Sequence, residues 1–232
     1  MSLLKGLLHL LERLQSMKNN ILVIGDGKLS KAIQKVFSNY NLIIFNEYNI
    51  DTLNNYNGDI LIDCSSPNAF THIYNYLLMH KIPTIIATTN FTKKQDKEIL
   101  SLSNSVPIFK SDNFSLGISI LNSILSKYKY ILKKYDIHLI DFHHKNKKDS
   151  PSGTSKKMIS LLDNNVQTYS IRSKELIGKH ELHFINEQEE IVITHEAFSR
   201  ELFANGILLA YNFISKKNTG LYTMEDLINE LF

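Results

Sequence analysis

The chain has 232 residues, 43% of them hydrophobic and 21% charged, with 26 Lys and Arg against 23 Asp and Glu for a net charge of +3. That balance excludes a disordered or collagen-like chain and a polybasic nucleic-acid arm, while the length allows one large core or two modest ones. A single cysteine, Cys64, excludes an internal disulfide, and no run reaches the roughly 20 apolar residues of a membrane-spanning helix, so the sequence reads as cytoplasmic, with neither nucleic acid nor membrane as a partner.

Residues 1–17 form an N-terminal extension. It is Leu-rich, with Lys5, His9, Glu12 and Arg13 interrupting the apolar run, which predicts an amphipathic helix. Charges inside the run and the lack of a small-residue cleavage site separate it from a signal peptide. A docking helix and an appended segment fit it equally well, a membrane-surface helix less well.

From residue 20 onward, short apolar runs alternate with helical patterns. Strands are predicted over 20–24, 42–45, 59–64, 84–87 and 107–109, with helices over 30–40, 68–80 and 93–100 between them. Such alternation predicts an α/β domain with a parallel sheet covered by helices. After Asn113 the pattern changes to a long helix over 115–135, an alternating strand over 137–142 and a helix over 155–162. Two strands follow, over 181–185 and 190–194, joined by a polar connector that suits a hairpin. This part reads as a second, α+β layer. Helical patterns over 203–214 and 224–231 are expected to pack back on the first domain.

The first strand runs into Gly25-Asp26-Gly27-Lys28-Leu29-Ser30 and then a helix. Two glycines let the backbone bend sharply and approach a pyrophosphate, and the helix start offers unpaired N–H groups to the anion. Ser30 stands where the full fingerprint has its third glycine. Glu47, just past the second strand, is placed to accept hydrogen bonds from an adenosine ribose, and no Arg or Lys follows over 48–56 to meet a 2′-phosphate, which tilts the reading toward NADH over NADPH. A plain strand–helix turn and a solvated carboxylate are the competing readings.

The segment from Asp141 to Ser155 crowds His143, His144, Lys145, Lys147 and Lys148 between a strand and a helix, which suggests an anionic ligand. Pro151-Ser152-Gly153-Thr154 has the makings of a helix start, with Ser152 as cap and the Gly153 and Thr154 N–H groups available to a carboxylate. His144 and Lys147 add positive charge. Adjacent strand residues face opposite ways, so His143 and His144 make poor joint ligands and no metal is expected; His138, His180, His183 and His195 read as satisfied or surface imidazoles.

Here the sequence closely resembles the 4-hydroxy-tetrahydrodipicolinate reductase family, also called dihydrodipicolinate reductases, over nearly all of the chain after Met17. Residues His143 to Thr154 are similar to the family's His-His-x-x-Lys-x-Asp-x-Pro-Ser-Gly-Thr signature. Weaker motifs follow in the family's order, among them Ile62-Asp63-Cys64-Ser65-Ser66-Pro67, Gly178-Lys179-His180 and Phe203-Ala204-Asn205-Gly206. The resemblance implies a Rossmann-like, doubly wound cofactor domain over 18–114 and 200–232, and a smaller substrate-binding and oligomerisation domain over 115–199 whose sheet builds a homotetramer. It implies NAD(P)H-dependent reduction in the diaminopimelate route to lysine. His143 and Lys147 take the proton-transfer roles; His144, Gly153 and Thr154 hold substrate carboxylate. Gly25 to Ser30, the stretch Ala87-Thr88-Thr89, and Ser111-Asp112-Asn113-Phe114 line the cofactor.

Three departures from the family pattern stand out: Ser30, Ala87 where a Gly usually precedes Thr-Thr, and a short stretch between Thr154 and Gly178 that leaves a dimer as the alternative to a tetramer. Two rival readings are another NAD(P)-dependent dehydrogenase of a small carboxylated substrate and a non-catalytic NAD(H)-sensing module.

Overall fold

The computed structural model describes residues 19–162, 165–173 and 176–231; the N-terminal extension and its predicted helix lie outside the described residues. The chain divides into two compact units. One comprises the described residues up to Phe109 together with Tyr211–Leu221, the other Lys110–Ala210 together with the residues from Tyr222 onward.

In the first unit β1 (Asn20–Ile24) leads to α1 (Lys28–Val36) and β2 (Asn41–Phe45), and a 3-10 turn over Ile50–Asn55 leads to β3 (Ile60–Asp63). A second 3-10 turn, Pro67–Ala69, runs into α2 (Phe70–His80), followed by β4 (Thr84–Ile86), α3 (Lys93–Leu102) and β5 (Pro107–Lys110). β1 pairs in parallel with both β2 and β3, and β3 with β4. Strands with both faces covered have to be apolar along their whole length, and Ile21, Leu22, Val23 and Ile24 are all buried. The loop before α3 is held by a reciprocal cap: the Thr92 side chain accepts from the Gln95 N–H and the Gln95 side chain from the Thr92 N–H.

The second unit begins with α4 (Leu116–Leu132), then β6 (Asp136–His143), α5 (Gly153–Leu161), β7 (Gln167–Arg172), β8 (Gly178–Ile185), β9 (Glu190–Ala197) and α6 (Glu201–Ile214). Its sheet has the order β7-β6-β8-β9, with β6–β7 parallel and the other two pairs antiparallel. The predicted hairpin is present, closed by the Asn186 N–H donating to the Glu189 carbonyl at 3.1 Å. Ile137, Leu139, Leu182 and Phe184 lie on one sheet face and pack with Ile118, Leu121 and Leu125 of α4 and Met158 of α5.

Two strands escaped the sequence reading. β7 sits at a sheet edge and buries little, so its sequence QTYSIR lacks an apolar run. β10 (Gly220–Tyr222) is three residues long and adds to β5, completing the six-strand order β10-β5-β4-β3-β1-β2. The last helix, α7 (Met224–Leu231), buries Met224, Leu227 and Ile228 and packs along α4. The segment 200–232, expected to complete the cofactor domain as one piece, is therefore divided: residues 211–221 join the first unit, and α7 belongs to the second. No described helix is long and apolar enough to cross a membrane.

Candidate active site

In the first unit the strand order reverses between β1 and β3, the place where open α/β sheets take their ligands, at the strands' carboxyl ends. Gly25 occupies that point with φ of +113°, and a Cβ there would stand 2.7 Å from the Cys64 carbonyl oxygen. Only glycine satisfies both conditions. Gly27 is different: it is extended, caps α1 without a side-chain hydrogen bond, and a Cβ on it would meet nothing within 4 Å. The start of α1 is thus an uncapped set of N–H groups beside open space. Ser30 is fully buried, its hydroxyl accepting from Gln34 at 3.4 Å and standing against the Cys64 thiol. Burial pushes that thiol up to about 12.

Behind the turn lies a polar knot. Asp63, buried at the end of β3, accepts from the Ser65 hydroxyl at 2.5 Å and the Ser65 N–H at 3.0 Å, and that N–H also reaches the Thr88 hydroxyl at 3.0 Å. Burial outweighs these bonds and raises the Asp63 carboxyl above the usual range. Thr88 therefore faces inward as support, while Ala87 and Thr89 are half-buried at the strand end. Glu47 stands in an exposed turn directly after β2; its neighbour Asn46 donates to Asp26 at 3.2 Å, which ties the β2 end to the glycine turn.

In the second unit the strand alternation of β6 puts Asp141 and His143 on the buried face with Leu139. Asp141 has no exposed surface. One of its oxygens takes the Nδ1 side of His143; the other accepts the Ser152 N–H at 2.6 Å and lies 3.4 Å from an Arg172 guanidinium nitrogen. Burial alone would raise this carboxyl, but His143, the Ser152 N–H and the charge of Arg172 hold it well below the usual range. With Nδ1 engaged, Nε2 is the His143 nitrogen left for proton exchange, and a Cβ at Gly178 would come within 3.0 Å of it.

Cross-strand register places Asp141, His180 and His195 in one row over β6, β8 and β9. The His143 and His180 rings lie 5.3 Å apart, edge to face. Burial, then the charge of His143, depresses His180 to about 4. Its Nε2 lies 3.3 Å from the Ser152 hydroxyl, and its buried Nδ1 has no hydrogen-bond partner among the described residues. His195 Nε2 lies 3.0 Å from the Ser115 hydroxyl.

Ser152 caps α5 as expected, its hydroxyl accepting the Ser155 N–H at 3.1 Å. The Thr154 hydroxyl accepts from Asn113 at 3.1 Å. Asp149 accepts the Gly153 N–H at 3.2 Å and pairs with Lys147 at 2.9 Å. His144 follows β6 and is half-buried, its carbonyl accepting the Lys147 N–H at 3.1 Å. Ser111 and Asn113 close a small turn, and Phe114 is buried; Asp112 is exposed.

Within the second unit the structure brings together His143, His144, Lys147, Gly153, Thr154 and Asn113, all proposed from sequence. Asp141, Arg172 and His180 were missed. Asp141 and His180 carried a signal, since residues two apart on a strand share a face; Arg172 lies on the strand that sequence did not reveal. Asp141, His143 and His180 bring ligand atoms within 4.8 Å of one another, a spacing open to a metal ion. Both Asp141 oxygens are already engaged, however, and a cation would meet the Arg172 guanidinium, so the group reads as a hydrogen-bonded carboxylate–imidazole pair.

A sheet with a glycine turn at its switch point, joined to a mixed-sheet unit bearing that pair and a charged loop, defines the two-domain Rossmann-type class. Residues 19–114 match the family model described as dihydrodipicolinate reductase, N-terminus, and residues 117–228 match its C-terminus. Curated proteins named 4-hydroxy-tetrahydrodipicolinate reductase are similar to the chain. That of Thermosipho africanus is 36% identical over 207 residues, covering 89% of this chain and 95% of the relative. That of Alkaliphilus oremlandii is 35% identical over 192 residues, covering 73% and 80%. The chain belongs to the dihydrodipicolinate reductase family. The solved dipicolinate-bound dihydrodipicolinate reductase of Paenisporosarcina sp. TG-14 shares the fold at a TM-score of 0.71 and 17% identity, covering 89% of this chain and 98% of that one.

Proposed function

We propose that this protein is a 4-hydroxy-tetrahydrodipicolinate reductase, reducing its cyclic dicarboxylate substrate with NAD(P)H in the diaminopimelate route to lysine. The observation that carries the reading is the run from Asp141 to Thr154, which gathers a buried Asp–His pair, a lysine and a helix N-terminus in one strand–loop–helix unit. Relatives of that name over most of their own length support it.

The residues present fit a dinucleotide. Gly25 lets β1 turn sharply, and the open space over Gly27 leaves the uncapped start of α1, Lys28 to Ser30, available to a pyrophosphate. Glu47 beside the end of β2, with no Arg or Lys over 48–56, favours the ribose of NADH over the 2′-phosphate of NADPH. Ala87, Thr88 and Thr89, which follow β4, complete the first unit's share of the set assigned to the cofactor.

The reduced nicotinamide supplies the hydride. The Gly153 and Thr154 N–H groups hold a substrate carboxylate at the positive end of α5, with His144 beside them. Lys147 places an ammonium where the substrate gains negative charge and delivers the proton; His143, oriented by Asp141, exchanges a proton through Nε2. The face of the four-stranded sheet opposite its core, which exposes Tyr169, Ile171 and Val192 among the described residues, builds a homo-oligomer, a tetramer or a dimer.

The test is NAD(P)H oxidation with freshly made 4-hydroxy-tetrahydrodipicolinate. Lys147→Ala and His143→Ala are expected to lower turnover by about 10²–10⁴-fold with cofactor binding retained. Turnover equal to wild type in both variants overturns the assignment; cofactor binding without substrate consumption in the wild type favours a sensor.

A further inference from the structure

We propose that Asp149 is a built-in stand-in for the substrate carboxylate: it binds the same N–H and ammonium groups and gives way when substrate arrives. The inference rests on the assignment of Gly153 and Lys147 to substrate binding made above, and deepens it by naming the group that competes for them.

Two contacts carry the argument. One Asp149 oxygen accepts the Gly153 N–H at 3.2 Å, at the first residue of α5, and the other lies 2.9 Å from the Lys147 ammonium. A single carboxylate thus meets both groups that the reaction directs at a substrate carboxylate and at developing negative charge. Burial would raise the Asp149 carboxyl, but the Lys147 hydrogen bond and charge and the Gly153 N–H hold it below its ordinary value, so it is an anion throughout the neutral range. The rest of the α5 start is fastened by other groups. Ser152 is held through its N–H by Asp141 and its hydroxyl caps the Ser155 N–H, while Asn113 holds the Thr154 side chain. Asp149 can therefore leave without releasing the helix end.

Its side chain is also 42% exposed, unlike Asp141 at 0%, so water can receive it when it is displaced. The exchange swaps one carboxylate for another and keeps the charge of the cradle balanced at both stages. Lys147 is neutralised before substrate enters, and a weak anion has to compete with a tethered one. A ring dicarboxylate, which offers a second anchoring group, displaces Asp149 where a simple monoanion does not.

The measurement is the affinity of the protein, saturated with NADH, for pyridine-2,6-dicarboxylate (dipicolinate), read by calorimetry beside the thermal midpoint. Asp149→Asn keeps the shape and an acceptor for the Gly153 N–H but removes the charge. It is expected to lower the midpoint and yet bind dipicolinate about 3- to 10-fold more tightly, with Asp149→Ala changing both in the same directions. A purely structural Asp149 moves stability and affinity down together. Lys147→Ala serves as the control and is expected to weaken binding. If Lys147→Ala weakens binding while the Asp149 variants bind equally or less well, the exchange is overturned and the substrate site stands. If Lys147→Ala and the Asp149 variants all bind as the wild type does, the exchange and the substrate site fall together.

Discussion

A carboxylate with no water contact has to be matched group for group, and Asp141 is matched by an imidazole, a backbone N–H and a guanidinium. Its neighbour His180 is in the opposite position, a buried imidazole next to another imidazole, and that has a measurable consequence. Its folded-state value near 4 lies below the roughly 6.5 of an unfolded histidine, so between those values the unfolded chain binds a proton that the folded protein refuses. Stability present above pH 6.5 is therefore lost as the pH falls through that window. From pH 7.5 to pH 5, His180 alone accounts for about 2 kcal/mol of that loss. Urea denaturation of wild type and His180→Gln at both pH values measures it: the wild type should lose more by about that amount, and equal losses contradict the assignment. The sequence reading places His180 with ordinary imidazoles, because the period-2 pattern shows which face a residue takes but not that the neighbouring strand holds Asp141 and His143 on that face.

At the scale of elements, local chemistry and packing pull in opposite directions at Gly206. A glycine inside α6 costs helix stability relative to alanine, so propensity alone favours Gly206→Ala by up to about 1 kcal/mol. A Cβ there, however, would lie 1.7 Å from the Phe114 carbonyl oxygen, on backbone that has no rotamer to change. The substitution is expected to destabilise the protein by more than about 2 kcal/mol, seen as a lower urea midpoint; a rise in midpoint would mean α6 stands off from Phe114. The elements that sequence revealed share a cause. β1, β2 and β6 had apolar runs or alternation, and α5 had its Ser152 start. β7 and β10 gave no such signal, one a polar edge strand and the other three residues long. The 3-10 turn over Ile50–Asn55 hid in a polar stretch for the same reason, as only Ile50 and Leu53 are buried.

At the scale of the whole molecule, the four-stranded sheet presents Tyr169, Ile171 and Val192 on the face opposite its core, beside half-buried Ile140 and Phe142. The proposed assembly would use this face, where these apolar side chains stand beside Lys179, Glu181 and His183. Light scattering should report an oligomer for the wild type and a smaller species for the double variant Ile171→Lys, Val192→Lys; an unchanged mass places the interface elsewhere.

The division of the chain also bears on how the protein is made. The Tyr211 hydroxyl accepts from Asn19 at 2.6 Å, its ring packs on Phe37 and Tyr40, and β10 closes the edge of β5. Those partners are synthesised about 170 residues or more after the side chains and strand they cover, except for β5, which waits for roughly 110. On the ribosome, this sheet therefore emerges with an unpaired β5 edge and with Phe37 and Tyr40 lacking their Tyr211 cover, and it stays unfinished until residue 222 has been added. Nascent-chain pausing just before residue 211 should expose a species that chaperones bind, and release past residue 222 should end that binding.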